Sequence, residues 1–260
     1  METFAIGREN KGDLRIVVNE SGKKSNTINL QSSVGKLYGD NIVAQMQNIL
    51  KAFDVTGLDL DVIDDGALPY VINARTIAVA RMLGRSPKVH ALSKKPVDLK
   101  KIRRSRLYLP GNNPYLAQNA WLFGADILLL DLEDSVPPAE KYGTRILVKH
   151  TVLNMDFGSS EVAVRINPLW TPFGEEDLRE IIPACPDIIF IPKAESGEDI
   201  LRIDEIVTGI HYEKGIDHVV RYFPIIESAR GVVNAFDIAK SNPNIIGLAF
   251  GAEDYTRDMG

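Results

Sequence analysis

Cysteine is almost absent from this chain. A single residue, Cys185, stands among 260, so no internal disulfide can form and stability has to come from a packed core. A reducing compartment fits that usage. No stretch approaches the roughly 18–20 apolar residues that a membrane-crossing helix needs. The opening METFAIGRENKGD lacks the apolar run of a signal peptide. Excess positive charge is missing as well: 30 Lys and Arg stand against 35 Asp and Glu, a net charge of −5. This balance argues against nucleic acid and against an anionic membrane surface as partners. What remains is the expectation of a cytoplasmic globular protein, 45% hydrophobic, long enough for one large domain or two smaller ones. Cys185, with apolar neighbours, reads as a small buried residue. The four histidines, His90, His150, His211 and His218, fall in the linker or in helix-to-strand regions and read as surface residues.

Two patterns divide the chain. Up to about residue 87, apolar residues alternate or cluster in Asp13–Val18, Thr27–Leu30 and Leu58–Ile63, as short strands do. Helical spacing follows Gly39-Asp40 over Ile42–Phe53, and again over Ala74–Leu83. The order β-β-α-β-α predicts a small α+β domain over residues 1–87. The stretch GRSPKVHALSKKPVDLKK, with two prolines and five lysines, has no amphipathic period and predicts a linker over 88–102. From residue 103 onward strands and helices alternate. The strands are Leu107–Leu109, Ile127–Asp131, Val162–Ile166, Ile188–Ile191, Tyr222–Ile226 and Ile246–Phe250. The helices are Tyr115–Phe123, Ala139–Leu153, Glu175–Ile182, Asp199–Val207 and Val232–Ala239. Near-continuous apolar strands joined by helices predict a parallel sheet covered on both faces. No Gly-x-Gly-x-x-Gly follows the first strand, so a dinucleotide site is not expected. The fold expected is an α/β, TIM-type β/α barrel with about six of the usual eight βα units.

Polar residues gather directly after these strands: Asn112 and Asn113 after the first, Asp131, Glu133 and Asp134 after the second, and Arg165 and Asn167 after the third. Lys193 and Glu195 follow the fourth, Glu227 the fifth, Glu253 and Asp254 the sixth. In a β/α barrel all these positions face one C-terminal mouth. Any one carboxylate there could simply cap the next helix, but the whole set is hard to explain that way. So many carboxylates repel one another unless a cation shares the space. With no His or Cys among them, hard oxygen ligands point to Mg²⁺ or Mn²⁺ and away from zinc. Arg165 and Lys193 are placed to hold an anionic substrate.

Six segments of the second part resemble the citrate lyase β-subunit family, within the wider group of Mg²⁺-dependent aldolases and lyases that includes malyl-CoA lyases. They are Arg104-Ser105-x-Leu107-Tyr108-x-Pro110-Gly111, Leu130–Val136, Val164–Asn167, Ile191–Glu195, Pro224–Gly231 and Phe250–Asp254. The resemblance implies a lyase that splits a citryl thioester into oxaloacetate and an acetyl thioester. It implies Mg²⁺ on Glu227 and Asp254, with Glu133 and Asp134 acting beside it through water. Arg165 is implied for the oxaloacetate part of the substrate, and Arg104, Ser105, Lys141 and Arg145 for the thioester side. Alternatives are a malyl-CoA or related hydroxyacyl-CoA lyase, or a non-catalytic assembly subunit of the same complex.

The first domain resembles the citrate lyase γ-subunit, an acyl carrier protein, through Ser32–Asp40 and Asp64–Leu68, with Ala74-Arg75 following. That carrier holds a CoA-derived arm on a serine within a Glu-Ser-Gly-Asp-like stretch. Here the stretch is Glu9-Asn10-Lys11-Gly12-Asp13, with Lys11 in the serine's place and no serine before Ser21. The arm needs a hydroxyl, so its own carrier serine is expected to be absent. The thioester would then sit on CoA or on a partner holo acyl carrier. The partners implied are an α-like transferase subunit and further copies of the chain. Six βα units leave a barrel unclosed, and Asp254 stands six residues before Gly260. The expectation is that this stretch alone turns over poorly and tends to associate, and that about 50 further family-like residues would complete it.

Overall fold

The structure, a computed structural model, describes residues 4–20, 24–85 and 101–260. Ser21 and nearly all of the expected linker over 88–102 lie outside the described residues. The described residues gather into two compact units. The first takes in residues up to 85 together with 110–119 and 136–155, and the second takes in 101–109, 120–135 and 156–260.

In the first unit a four-stranded sheet has the order β1 (Phe4–Ile6), β2 (Leu14–Glu20), β4 (Leu58–Asp64), β3 (Thr27–Ser32). β2 runs antiparallel to β1 and β4, while β3 and β4 are parallel. Alternation decides the buried face: Leu58, Leu60 and Val62 of β4 point inward, and Asp61 and Ile63 outward. Helix α1 (Gly35–Ala52) covers that face with Ile42, Met46 and Leu50, one turn apart. Helix α2 (Pro69–Met82) starts with proline in its first turn, where the missing N–H costs nothing. Two helices from later in the chain complete the unit, α3 (Pro114–Gln118) and α4 (Lys141–Asn154). Ile146 and Leu147 of α4 join the same core as Leu14, Met46, Leu60 and Val71. Beneath them Arg75 donates to both carboxylate oxygens of Asp13, at 3.0 and 2.7 Å, with both side chains buried. β1, three residues long, is too short to show a period, and the sequence reading lacks it.

The second unit is a six-stranded sheet in the order β5 (Arg106–Pro110), β6 (Ile127–Asp131), β7 (Glu161–Arg165), β8 (Ile188–Ile191), β9 (Arg221–Ile226), β10 (Ala249–Phe250). The pairs from β6 to β10 are parallel. Alternate residues, among them Ile127, Leu129, Ala163, Ile188, Phe190 and Phe223, form one inner cluster. The sheet curls around that cluster. Flat strands spaced about 4.8 Å apart would put β8 and β9 some 14–19 Å from β5. Yet the Arg106 guanidinium of β5 lies 5.9 Å from the Phe190 ring centre and 5.5 Å from that of Phe223. The result is the curvature of a β/α barrel in six strands, with β5 and β10 at its edges among the described residues.

Helices α5 (Gly174–Ile181) and α6 (Gly197–Lys214) join consecutive strands. The start of α6 is fixed by a capping box of Ser196 and Asp199, and its end by Gly215 at φ 64. The single helix expected over Val232–Ala239 is two helices, α7 (Ala229–Val233) and α8 (Ala235–Lys240), which meet at Asn234. The Asn234 amide donates to the Glu195 carbonyl at 2.8 Å, a competing bond that interrupts the helix. The sixth strand is shorter than expected, and α9 (Ala252–Met259) follows it directly. His218, read from the sequence as a surface residue, is buried with Nε2 2.9 Å from the Pro186 carbonyl oxygen. Cys185 is buried as expected. Among the described residues no helix is long and apolar enough to cross a membrane.

Candidate active site

The inner-face alternation that builds the core also aims the last residues of the strands into the mouth. Asp131 of β6, Arg165 of β7 and Phe190 of β8 are in register on the inner face. Asp131 accepts from Arg165 Nε at 2.7 Å and Nη2 at 2.9 Å, a two-pronged pair that locks the guanidinium plane. It also accepts from the Ser135 hydroxyl and from the backbone N–H groups of Glu133 and Ser135. Burial pushes the Asp131 carboxyl up, but the Arg165 and Ser135 bonds outweigh it and hold the group below the ordinary carboxylate range. The remaining Arg165 nitrogen, Nη1, lies 2.8 Å from Glu133 and 3.5 Å from Asp134. Glu133 and Asp131 are buried, whereas the Asp134 side chain is 63% exposed.

Lys193 stands at the centre of the acidic cluster. It follows β8 in left-handed backbone, φ 51, which turns its N–H toward the Glu227 carboxylate at 2.7 Å. Its ammonium lies 2.7 Å from Glu133 and 3.4 Å from Asp254. Glu227, directly after β9, is buried. Burial raises its pKa first, the Lys193 N–H opposes this, and the charges of Glu133 and Asp254 add to it, so the group is pushed up to about 7. Gly251 closes the site from below, and a Cβ there would lie 2.7 Å from Glu227 Oε2. Tyr108 of β5 completes the wall, with the Arg165 guanidinium 5.6 Å from its ring centre.

Of the residues singled out in the sequence, Asp131, Glu133, Asp134, Arg165, Lys193, Glu227 and Asp254 come together here. Asn167 does not reach the mouth, since its amide is buried against Asp177 and the Leu132 carbonyl. Glu195 and Glu253 face Arg230 and Arg257 instead. Arg104 and Ser105 precede β5 and both bind the Asp126 carboxylate at the N-terminal end of the sheet, away from the strand ends that carry the acids. Lys141 and Arg145 are buried one turn apart on α4, in the first unit. Asn112 also belongs to that unit, where its amide donates to Glu140, itself paired with Arg8. The sequence reading missed Arg106 and Tyr108 as mouth residues. Both lie inside a strand, and their shared face was the available signal.

A barrel-type sheet with an acidic, arginine-lined mouth defines a class of enzyme scaffold, and comparison with known proteins narrows it. Residues 104–260 match the model of the HpcH/HpaI aldolase/citrate lyase family, and the chain belongs to that family. Residues 1–83 match the model described as malonate decarboxylase delta subunit (MdcD). Among curated relatives, citrate lyase subunit beta of Leuconostoc mesenteroides subsp. cremoris is 42% identical over 160 residues, 61% of this chain and 53% of that protein. The L-malyl-CoA/beta-methylmalyl-CoA lyase of Cereibacter sphaeroides is 35% identical over 160 residues, 60% of this chain and 50% of that protein. The chain thus spans about half the length of the curated relatives it matches. Among solved structures, protein CitE from Mycobacterium tuberculosis in complex with magnesium and pyruvate is 28% identical with a TM-score of 0.50, covering 62% of this chain and 60% of that one.

Proposed function

We propose that this chain carries the catalytic mouth of a Mg²⁺-dependent carbon–carbon lyase that splits a citryl thioester into oxaloacetate and an acetyl thioester. The observation that carries this reading is Glu227, a buried carboxylate gathered with Glu133 and Asp254 around Lys193 and pushed up to about 7, first by burial and then by the charges of those two acids. The donor set fits Mg²⁺, which takes one or two carboxylates and completes its shell with water and substrate oxygens. Among the described residues no group of three or more His, Cys, Asp or Glu side chains is arranged to hold a metal ion, so the protein would supply two carboxylates at most. Glu227 and Asp254 would hold the ion, which when bound polarises the keto oxygen of the oxo acid.

The chain's own residues supply the rest. Asp131 fixes the Arg165 plane, so the cation is already oriented before substrate arrives. Asp134, exposed and 3.5 Å away, is the partner most easily exchanged for a substrate carboxylate. In the cleavage the citryl hydroxyl gives up a proton as its carbon becomes the ketone. The carbon–carbon bond breaks, and the departing acetyl carbon takes a proton. Arg165 and Lys193 hold the anionic charge that develops as the bond breaks. Arg104 and Ser105, bound to Asp126, serve as the anchor of β5. The thioester partner is CoA or a separate holo acyl carrier, and an α-like transferase subunit and further copies of this chain are the assembly partners. The identity to a malyl-CoA lyase supports a smaller hydroxyacyl-CoA as the alternative substrate, and turnover of citryl-CoA against malyl-CoA separates the two.

The test of the metal site is calorimetric. Glu227→Gln should weaken Mg²⁺ binding about tenfold or more, since one charged ligand is lost. Equal Mg²⁺ affinity in the variant would remove Glu227 from the site.

A further inference from the structure

Arg165 is heavily committed, for its guanidinium already faces Asp131, Glu133 and Asp134. Arg106 is not. Its guanidinium lies over Phe190 and Phe223, which are stacked 4.7 Å apart at 3°. Among the described residues no carboxylate lies within ion-pair distance of it. The strand register sets its height. Arg106 opens β5 and its side chain reaches across the curl to those rings; Phe190 pairs with Arg165 and with Phe223, so the guanidinium lies near the height of Arg165, whose strand is two along from β5. Tyr108, two residues on and on the same face, lies between them and feels the charge of both arginines. The aromatic platform holds the guanidinium face and leaves its N–H edge free, which is the edge that binds a carboxylate.

We propose that Arg106 binds the second carboxylate of a dicarboxylate oxo acid and so sets the preference for a citryl over a malyl substrate. This rests on the lyase reading above. One cation and the metal suffice for a monocarboxylate such as pyruvate or glyoxylate. Oxaloacetate is pyruvate with one added carboxylate, and that group needs a second, uncommitted cation across the mouth.

The test uses the full chain with saturating Mg²⁺ and calorimetric titration of pyruvate and of freshly dissolved oxaloacetate in the cold. The unaltered protein should bind oxaloacetate about tenfold or more tightly than pyruvate. Arg106→Met should erase that difference and leave pyruvate within about twofold, and Arg106→Lys should restore part of it. Arg106→Gln is titrated alongside, so the comparison holds if the methionine variant does not fold. Equal losses for both acids, or no loss for either, overturn the proposal and leave the lyase reading standing. If the unaltered protein binds neither acid, both proposals fall.

Discussion

Glu227 owes its place to a residue with no side chain. Gly251 has φ −99, an ordinary value, so backbone freedom is not the reason for glycine. Close approach is: any Cβ would press on the Glu227 carboxylate and its Cβ, at 2.7 and 2.9 Å. Gly251→Ala should therefore move Glu227 and weaken Mg²⁺ binding about as much as Glu227→Gln, while changing no charged group. Calorimetry on the alanine variant showing the parent affinity would mean the carboxylate can shift at no cost. At this scale the acids and Arg165 were legible, because residues just past a parallel strand share one mouth. Arg104 and Ser105 precede β5 and stay on Asp126 at the N-terminal end of the sheet, and a motif does not encode which end of a strand its residues occupy. Lys193 was legible as a cation but not as the hub, since its left-handed turn leaves no mark in residue type.

Among the elements, α6 shows how a helix can carry pH dependence to the far end of the sheet. His211 on its last turn has a lowered pKa, chiefly through burial, then through the charge of His218, with Asp204 opposing. The unfolded chain takes up a proton near 6.5 while the folded one resists. Stability is thus complete above about pH 6.5 and is lost as the pH falls through the depressed folded value. His211→Gln should flatten that acid limb. Urea midpoints at about pH 7.5 and 5.5 check it, and an unchanged slope would assign the limb to other groups. Helix and strand identity were legible where apolar periods ran long, as in β6, β8 and α1. The break between α7 and α8 was not, because it follows from one tertiary bond, Asn234 to the Glu195 carbonyl. Two-residue β10 was overdrawn because Ile246 and Gly247 look apolar enough to continue it, yet Gly247 sits against the Phe223 ring.

At the scale of the molecule, the carrier-like strands and helices of the first unit are not free-standing. Lys11 rests 5.0 Å above the Tyr115 ring. A Cβ on neighbouring Gly12 would meet Tyr115 and Gln118 at 3.1 Å. A phosphodiester-linked arm needs a hydroxyl, and residues 4–20 have none. Protein from its native host should show the unmodified mass of the chain in an intact-mass measurement. An added CoA-derived mass mapped to any hydroxyl of the first 87 residues would overturn this. The α+β character of this part was legible in its alternating strands, but the sharing of its core with α3 and α4 was not, because pairing across more than sixty residues leaves no local period.

That shared core also bears on how the protein is made. Ile146 and Leu147 fill a space that Leu14, Ile16 and Met46 leave open, and the Gly143 carbonyl accepts a bond at 3.4 Å from the buried Arg75. The residues synthesised first therefore cannot finish folding until α4 has left the ribosome. Until then their sheet presents apolar surface and a buried ion pair lacking part of its cover, a state open to chaperones and to misassembly. Closing so long a loop costs little in equilibrium terms but slows the search. The first unit thereby stays incomplete until the chain has been made through α4, with β7 to β10 of the second unit still to follow.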